Sequence, residues 1–418
     1  MVRMYDRLHT RIMKILYAAP GYKPAYKHGG PIVAVAAVAE RLVRNGHEVR
    51  VFTTNSNVDE DLDVPTNQPI QVNGVEVWYF RRTEFLKRYF GYFPYLTGAA
   101  GFHYAPEMAA NLKAILPQTD IVHTLMPFVY PTYVASRIAR KLKVPVVYKG
   151  FGSLDPQRLR FRAAKKRLYI RVIERQIMRR ADMLIALTEA EVESYRALGI
   201  TTPCRTVPDG IDVEDYREKA NSPLPPEWNV PRDAKVILFL GRLWTMKGPD
   251  KLIEAFAQIH LRFPDALLII AGPNEHGLED SLRILAAKCG VAEKVRFPGM
   301  ITGETKLDLL ARADLFCLPS DAEGFSIAVL EALASGTAVM LSPGCYFPEV
   351  AGAAAGKIAA CDPKVMAETM AQMLSNPESL RAMGRAGRQL VSQNYTWEPI
   401  TARLEHVYRE VLQKNKRT

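Results

Sequence analysis

Short apolar runs of strand length recur along this chain, separated by stretches in which apolar residues return every three or four positions. In the first half they are Ile12-Met-Lys-Ile-Leu-Tyr17, Glu48–Thr53, Asp120–Pro127, Pro145–Lys149, Ala181–Leu187 and Cys204–Val207. In the second half they are Lys235–Leu240, Ala266–Ala271, Lys294–Phe297, Ala313–Leu318 and Thr337–Leu341. Such runs, alternating with helical periodicity (Ile32 to Arg44 is the first such stretch), predict βαβ units and parallel sheets. Gln71–Arg81 alternates like a pair of exposed strands around Asn73-Gly74, a hairpin signal. The fold class is therefore α/β, with two Rossmann-like halves. Residues 1–212 are the expected first domain, 213–396 the second and 397–418 a closing helix. The proline-rich Asn221–Pro226 is the expected linker.

The densest chemistry lies between two of the second-half strands, from Pro319 to Val339. The loop carries Glu323 and Gly324, and Ser326–Ser335 has helical composition with Gly336 placed to end it. Glu331 falls on the helix face of Ile327 and Ala334, where a carboxylate is costly unless something hydrogen-bonds it. The amides of Phe325, Ser326 and Ile327 open the helix and form an anion site. Two acids beside an anion site suit a sugar nucleotide, acids for hydroxyls and amides for phosphate. A core contact for Glu331 and a plain loop acid at Glu323 are the competing readings. Upstream, Val236–Gly248 is an apolar strand ending in Gly241, then Arg242, Lys247 and Gly248. A planar guanidinium and a movable ammonium at a strand's carboxyl end make a diphosphate clamp. Incidental solvated cations are the alternative for either alone.

The first half offers weaker signals. Gly29-Gly30 follows the first strand but lacks the dinucleotide G-x-G-x-x-G spacing, which argues against a dehydrogenase. His123 is expected near the carboxyl end of its strand, as a ligand contact or a core histidine. Asp61-x-Asp63 lies in a polar loop and reads as a solvated charge run. Phe85–Tyr95 mixes aromatics with Lys87 and Arg88, fitting a membrane interface, an apolar acceptor or a self-packed loop. Gln157–Arg180 carries ten Lys and Arg against one acid, Glu174. As one basic amphipathic helix it reads as a membrane-surface element before a solvated face.

Charge sharpens that picture. Residues 1–212 hold 31 Lys and Arg against 19 Asp and Glu, a net +12, while the whole chain of 418 residues is only +11. The excess belongs to the first half and calls for an anionic partner there; no recognised nucleic-acid module accompanies it. Five scattered cysteines without paired or metal-like spacing point to a reduced, cytoplasmic protein without a structural metal.

The spaced pair Glu323 and Glu331, with the Gly-Arg-Leu-x-x-x-Lys-Gly run at Gly241–Gly248, resembles the donor site of GT-B retaining glycosyltransferases of family 4 (group 1). Pro208-Asp-Gly-Ile-Asp212 is similar to that family's domain junction. The loop Gly150–Pro156 before the basic helix is similar to members of surface-polysaccharide and lipopolysaccharide pathways. The resemblance implies two Rossmann-like domains facing a cleft, the first binding the acceptor and the second the nucleotide sugar. It implies transfer of a UDP- or GDP-linked hexosyl group, with retention and without a metal or other cofactor, to a glycan or lipid-linked acceptor. Catalytic roles would fall to His123, Arg242, Lys247 and Glu323. Donor binding would fall to Gly29, Gly30, Arg242, Lys247, Glu323, Gly324, Phe325, Ser326, Ile327 and Glu331. The implied location is the inner face of the cell membrane, held peripherally through 157–180. Leu125 stands where the family often has a second histidine, so a non-catalytic subunit or a polyanion-binding protein remains the alternative.

Overall fold

The computed structural model describes residues 11–416 except 59, 84–102, 161–162, 219, 221 and 275–276. The chain forms two α/β units, Met1–Pro208 with Trp397–Thr418, and Asp209–Thr396.

Unit 1 is built on an eight-stranded sheet: β1 (Lys14–Ala18), β2 (Glu48–Thr54), β3 (Pro69–Val72), β4 (Val75–Phe80), β5 (Ile121–Leu125), β6 (Val146–Lys149), β7 (Met183–Ala186) and β8 (Cys204–Thr206). Their order is β8-β7-β6-β5-β1-β2-β4-β3, parallel except for the β3–β4 hairpin. Asn73 and Gly74 take positive φ in that hairpin's turn. The hairpin differs from the expected exposed pair. Val75, Val77 and Tyr79 are fully buried because β4 continues the sheet beside β2. Two helices matter below: α1 (Gly30–Arg44) and α2 (Tyr130–Lys141). The C-terminal helix Trp397–Asn415 belongs to this unit, and buries Trp397, Leu404, Tyr408 and Val411.

The basic segment is not one continuous helix. It runs Pro156–Arg160 and Ala163–Tyr169, widens into a π turn at Ile170–Glu174, and closes as α3 (Arg175–Arg180). The reason is the single acid. Glu174 is fully buried, accepting from the Tyr148 hydroxyl at 2.7 Å and the Phe128 amide at 3.3 Å. Turning that carboxylate inward while Arg171, Arg179 and Arg180 stay exposed takes the extra residue a π turn supplies.

Unit 2 carries β9 (Lys235–Leu240), β10 (Ala266–Ala271), β11 (Val295–Gly299), β12 (Leu315–Leu318), β13 (Ala338–Leu341) and β14 (Gly356–Ile358). All are parallel in the order β11-β10-β9-β12-β13-β14, the doubly wound Rossmann order. Its helices include α4 (Pro249–Ile259), α5 (Gly303–Arg312) and α6 (Ile327–Ala334). The expected linker at 222–226 lies inside this unit, where Leu224 packs on the core. The connection order reverses between β9 and β12, and it is at the strands' carboxyl ends beside such a reversal that doubly wound sheets bind their ligands.

Candidate functional site

Both motif loops of unit 2 leave the sheet at that reversal, one from β9 and one from β12. They are laced together. The Asp321 amide donates to the Met246 carbonyl at 2.8 Å, and the Ser320 hydroxyl to the same oxygen at 3.1 Å. Gly248 makes this approach possible: its φ is +71°, and a Cβ there would lie 2.3 Å from the Pro319 carbonyl oxygen. No other residue type allows both the conformation and the contact.

The lacing brings Lys247 to Glu323. Lys247 Nζ donates to Glu323 Oε1 at 2.5 Å, with the carboxylate side chain 4 % exposed and the lysine side chain 15 %. Arg242 is exposed on the same loop as Lys247. Gly324 follows Glu323, and Phe325 packs its ring against Phe347 and Tyr395, with centroids 5.7 and 5.9 Å away. Ser326 is the N-cap of α6, but its side chain makes no capping bond; Ile327 is the first helical residue. The first-turn amides therefore lack that internal acceptor, and the helix dipole adds positive potential beside them.

Glu331 sits on the buried side of α6. Its Oε1 accepts from the Tyr216 hydroxyl at 2.9 Å and from Lys306 Nζ at 2.8 Å. Its Oε2 has no hydrogen-bond partner among the described residues. Tyr216 is held far above the usual phenol range, by burial first and then by the Glu331 charge. Tyr216 and Lys306 escaped sequence reasoning because their partner is distant in sequence and neither stands in a motif. A third ion pair, Lys251 Nζ to Asp321 Oδ1 at 2.9 Å, braces the loop that carries Glu323; its spacing gave no sign of it.

In unit 1, β1 and β5 are neighbours, and the chain winds away from them in opposite directions. Gly29 follows β1 with φ +80° and caps α1, whose first residue is Gly30. His28, immediately before them, reaches the Ser56 carbonyl through Nε2 at 3.0 Å, and its ring centroid lies 5.6 Å from that of His103. Burial pushes His103 down to about 3, helped by His28 and Arg82. The adjacency of His28 to the glycine pair was the available signal for this cluster.

His123 lies mid-strand in β5 and is buried. Its Nδ1 lies 2.7 Å from the Tyr408 hydroxyl, which in turn lies 3.0 Å from that of Tyr17. His123 Nε2 is buried with no hydrogen-bond partner among the described residues. Burial holds the ring well below the usual histidine range, with the Lys149 charge adding to it, so it is neutral. Leu125, two residues on, is buried.

Asp61 of the charge run pairs with Arg82 at 2.5 Å, in a short bridge of Glu60–Asp61 with Ser56–Asn57. Among the described residues no group of three or more His, Cys, Asp and Glu side chains is placed to hold a metal ion. No described helix is long and apolar enough to cross a membrane. Phe85–Tyr95 lies outside the described residues.

Comparison with known proteins bears on this geometry. The family model for group 1 glycosyl transferases matches residues 222–390, and that for the glycosyl transferase 4-like domain matches 29–210. The D-inositol 3-phosphate glycosyltransferase of Corynebacterium urealyticum is 32% identical over 58% of this chain and 59% of its own length. The chain thus matches about three fifths of that relative. The GDP-mannose-dependent monoacylated alpha-(1-6)-phosphatidylinositol monomannoside mannosyltransferase of Corynebacterium glutamicum is 30% identical over 56% of this chain and 63% of its own. Among solved structures, Anabaena Alr3699/HepE in complex with UDP and glucose aligns with a TM-score of 0.72 at 18% identity, covering 94% of this chain and 99% of that one. That likeness is one of fold, and the fold is GT-B. With its first half matched by the glycosyl transferase 4-like model and its second by the group 1 model, the chain belongs with the glycosyltransferases of GT-B fold.

Proposed function

We propose that this protein moves a hexosyl group from a UDP- or GDP-linked sugar to a phosphorylated, lipid-linked or glycan acceptor, with retention of anomeric configuration. The observation that carries the reading is the Lys247–Glu323 pair, held by the Gly248 approach at the point where unit 2 reverses its winding. Arg242 and Lys247 neutralise the departing diphosphate, together with the amides of Phe325, Ser326 and Ile327. These groups supply the positive charge that the step needs, so we read the reaction as metal-independent. Glu323 is oriented by Lys247 and accepts from sugar hydroxyls. Glu331, anchored through Oε1, offers Oε2 to the ribose hydroxyls.

Unit 1 is read as the acceptor side. Gly29 and Gly30 allow a phosphate or hydroxyl to approach the backbone, and the neutral His123 offers Nε2 to orient sugar or acceptor. Both donor bases occur among similar proteins: Alr3699/HepE binds UDP, and the mannosyltransferase depends on GDP-mannose. The latter's lipid acceptor also supports a membrane-borne one, as in lipopolysaccharide or other cell-surface glycan synthesis. We place the protein in the cytoplasm, peripherally on an anionic membrane surface through the basic segment, with no nucleic-acid partner.

Thermal-shift measurements with UDP-, GDP- and ADP-sugars test the donor reading, because a ligand bound only by the folded state raises the melting temperature. A rise with one base series, together with release of that nucleoside diphosphate on turnover, is the expected result. No shift with any of them contradicts the proposal.

A further inference from the structure

At the amino-terminal ends of the unit 1 strands lies a groove that the transferase reading does not use. It has a volume of about 540 Å³ and lies between α2 and the π turn with α3. From α2 it takes Tyr133, Ser136, Arg137, Arg140 and Lys141, which share a helix face at three- and four-residue spacing. From the facing segment it takes Val172, Ile173, Gln176, Ile177 and Arg180. Val146 and Ala181, at the amino-terminal ends of β6 and β7, close it off.

Four lining residues are cations and none is an acid. The two acids adjacent in sequence are occupied elsewhere: Glu174 is fully buried against the Tyr148 hydroxyl and the Phe128 amide, and Asp182 accepts from the Val146 amide at 2.8 Å and from Asn415. Arg137 donates to the Tyr133 hydroxyl at 2.6 Å, whereas the side chains of Arg140, Lys141 and Arg180 make no hydrogen bond or ion pair among the described residues. The Ser136 hydroxyl is buried without a partner among them. Beside these cations stand large apolar side chains with no cover: Leu142 is 41 % exposed, Val172 53 % and Leu168 65 %. Leu168 and Val172 are one turn apart on the same segment.

Cations at helix carboxyl ends are favourable for the dipole alone, but that does not explain exposed leucines and a valine beside an acid-free cavity. A free phosphate would leave the apolar surface unused, and a neutral apolar ligand would leave the cations unpaired. From this we infer that the groove binds the phosphate-bearing headgroup of an anionic glycerophospholipid, with Leu142, Leu168 and Val172 dipping into the acyl boundary. Arginines and lysine hold the phosphodiester, and the Tyr133–Arg137 pair is the fixed wall. The inference rests on the peripheral-membrane part of the proposed function and gives that surface a discrete site.

The test is co-sedimentation of the full chain with phosphatidylglycerol–phosphatidylcholine vesicles, comparing two charge-matched double variants of unaltered melting temperature. Arg140→Ala with Arg180→Ala removes two of the groove's four cations; Arg167→Ala with Arg171→Ala removes the same charge from the basic segment outside it. The groove pair is expected to weaken vesicle binding about thirtyfold and the other pair less than about fivefold. Val172→Asp, which removes no cation, is expected to weaken it as well. Calorimetry with a soluble short-chain phosphatidylglycerol and with inorganic phosphate separates the sources, and saturable binding of the lipid alone is expected. Equal losses from both double variants overturn the groove while leaving membrane association intact. Binding of phosphate as tight as that of the lipid overturns the lipid assignment. Failure of the unaltered protein to bind vesicles overturns the membrane reading and the groove together, and leaves the donor site standing on its own thermal-shift result.

Discussion

Two pairs of buried carboxylates, one pair in each unit, are satisfied in different ways. In unit 2, Glu323 and Glu331 each lie against a lysine. In unit 1, Glu174 and Glu191 are buried with hydroxyls and backbone amides as hydrogen-bond partners. Glu191 accepts from the amides of Gly152 and Leu187, both at 2.7 Å, and from Tyr195 at 2.8 Å. Burial raises both unit 1 acids, Glu174 to about 7. Their amide partners lie in loops, Phe128 after β5, Gly152 after β6 and Leu187 after β7, so these acids hold backbone in place. A carboxylate paired with a cation beside the motif loops is poised for a ligand; one satisfied by amides is a staple.

The largest expected effect breaks that distinction on the unit 2 side. Arg242→Ala and Lys247→Ala each lower turnover by roughly 10²–10³-fold, measured as nucleoside diphosphate released under saturating donor. Near-normal rates in both would show that the cations are ordinary loop charges. Lys247→Ala also strands a buried carboxylate and lowers the melting temperature. Adding Glu323→Gln to Lys247→Met restores stability without restoring turnover, which separates the pair's two contributions.

Next in size, Glu331→Gln weakens nucleotide binding about tenfold, the loss of one charge-assisted hydrogen bond. Calorimetry with UDP or GDP checks it, whichever the thermal shifts select. An affinity equal to that of the unaltered protein would make Glu331 a staple like Glu191.

The smallest effect sharpens the comparison on the unit 1 side. Folded Glu174 keeps its proton up to about pH 7, whereas the unfolded chain releases it near 4.5. The native state therefore binds more protons between those values, and its stability falls as pH rises through that window, by roughly 3 kcal/mol in all. Glu174→Gln removes that decline from denaturation curves taken between pH 4.5 and 7. His103 and Glu405, both held low, act with the opposite sign and lose stability as pH falls, so the difference between the two proteins isolates Glu174. An unchanged slope in the variant would refute the buried, cation-free environment.

Much of the sheet was legible because fully buried parallel strands are apolar without interruption. Lys235–Leu240 and Ala266–Ala271 read from the sequence with the bounds the structure gives them. β14 was not, since Gly356–Ile358 is three residues long and partly exposed. The hairpin turn at Asn73-Gly74 was legible, but the burial of β4 depends on its pairing with β2 and was not. The π turn in the basic segment had no local sign; Tyr148 and Phe128, which draw Glu174 inward, are remote in sequence. In the candidate site, Lys247, Glu323 and Glu331 stood out by spacing, whereas Lys306 and Tyr216 become visible only once α5 and the segment after β8 fold against α6. His123 lies deeper than its place near a strand end implied, beneath Tyr408 of a helix nearly three hundred residues away.

The central claim is that the site at the β9–β12 reversal holds a nucleoside diphosphate through Arg242 and Lys247. Calorimetric titration of UDP and GDP into the full chain, and into Arg242→Met with Lys247→Met, tests it most directly. The account predicts saturable binding of one of them to the unaltered protein and a loss of about a hundredfold in the double variant. Equal affinity in both proteins would contradict it.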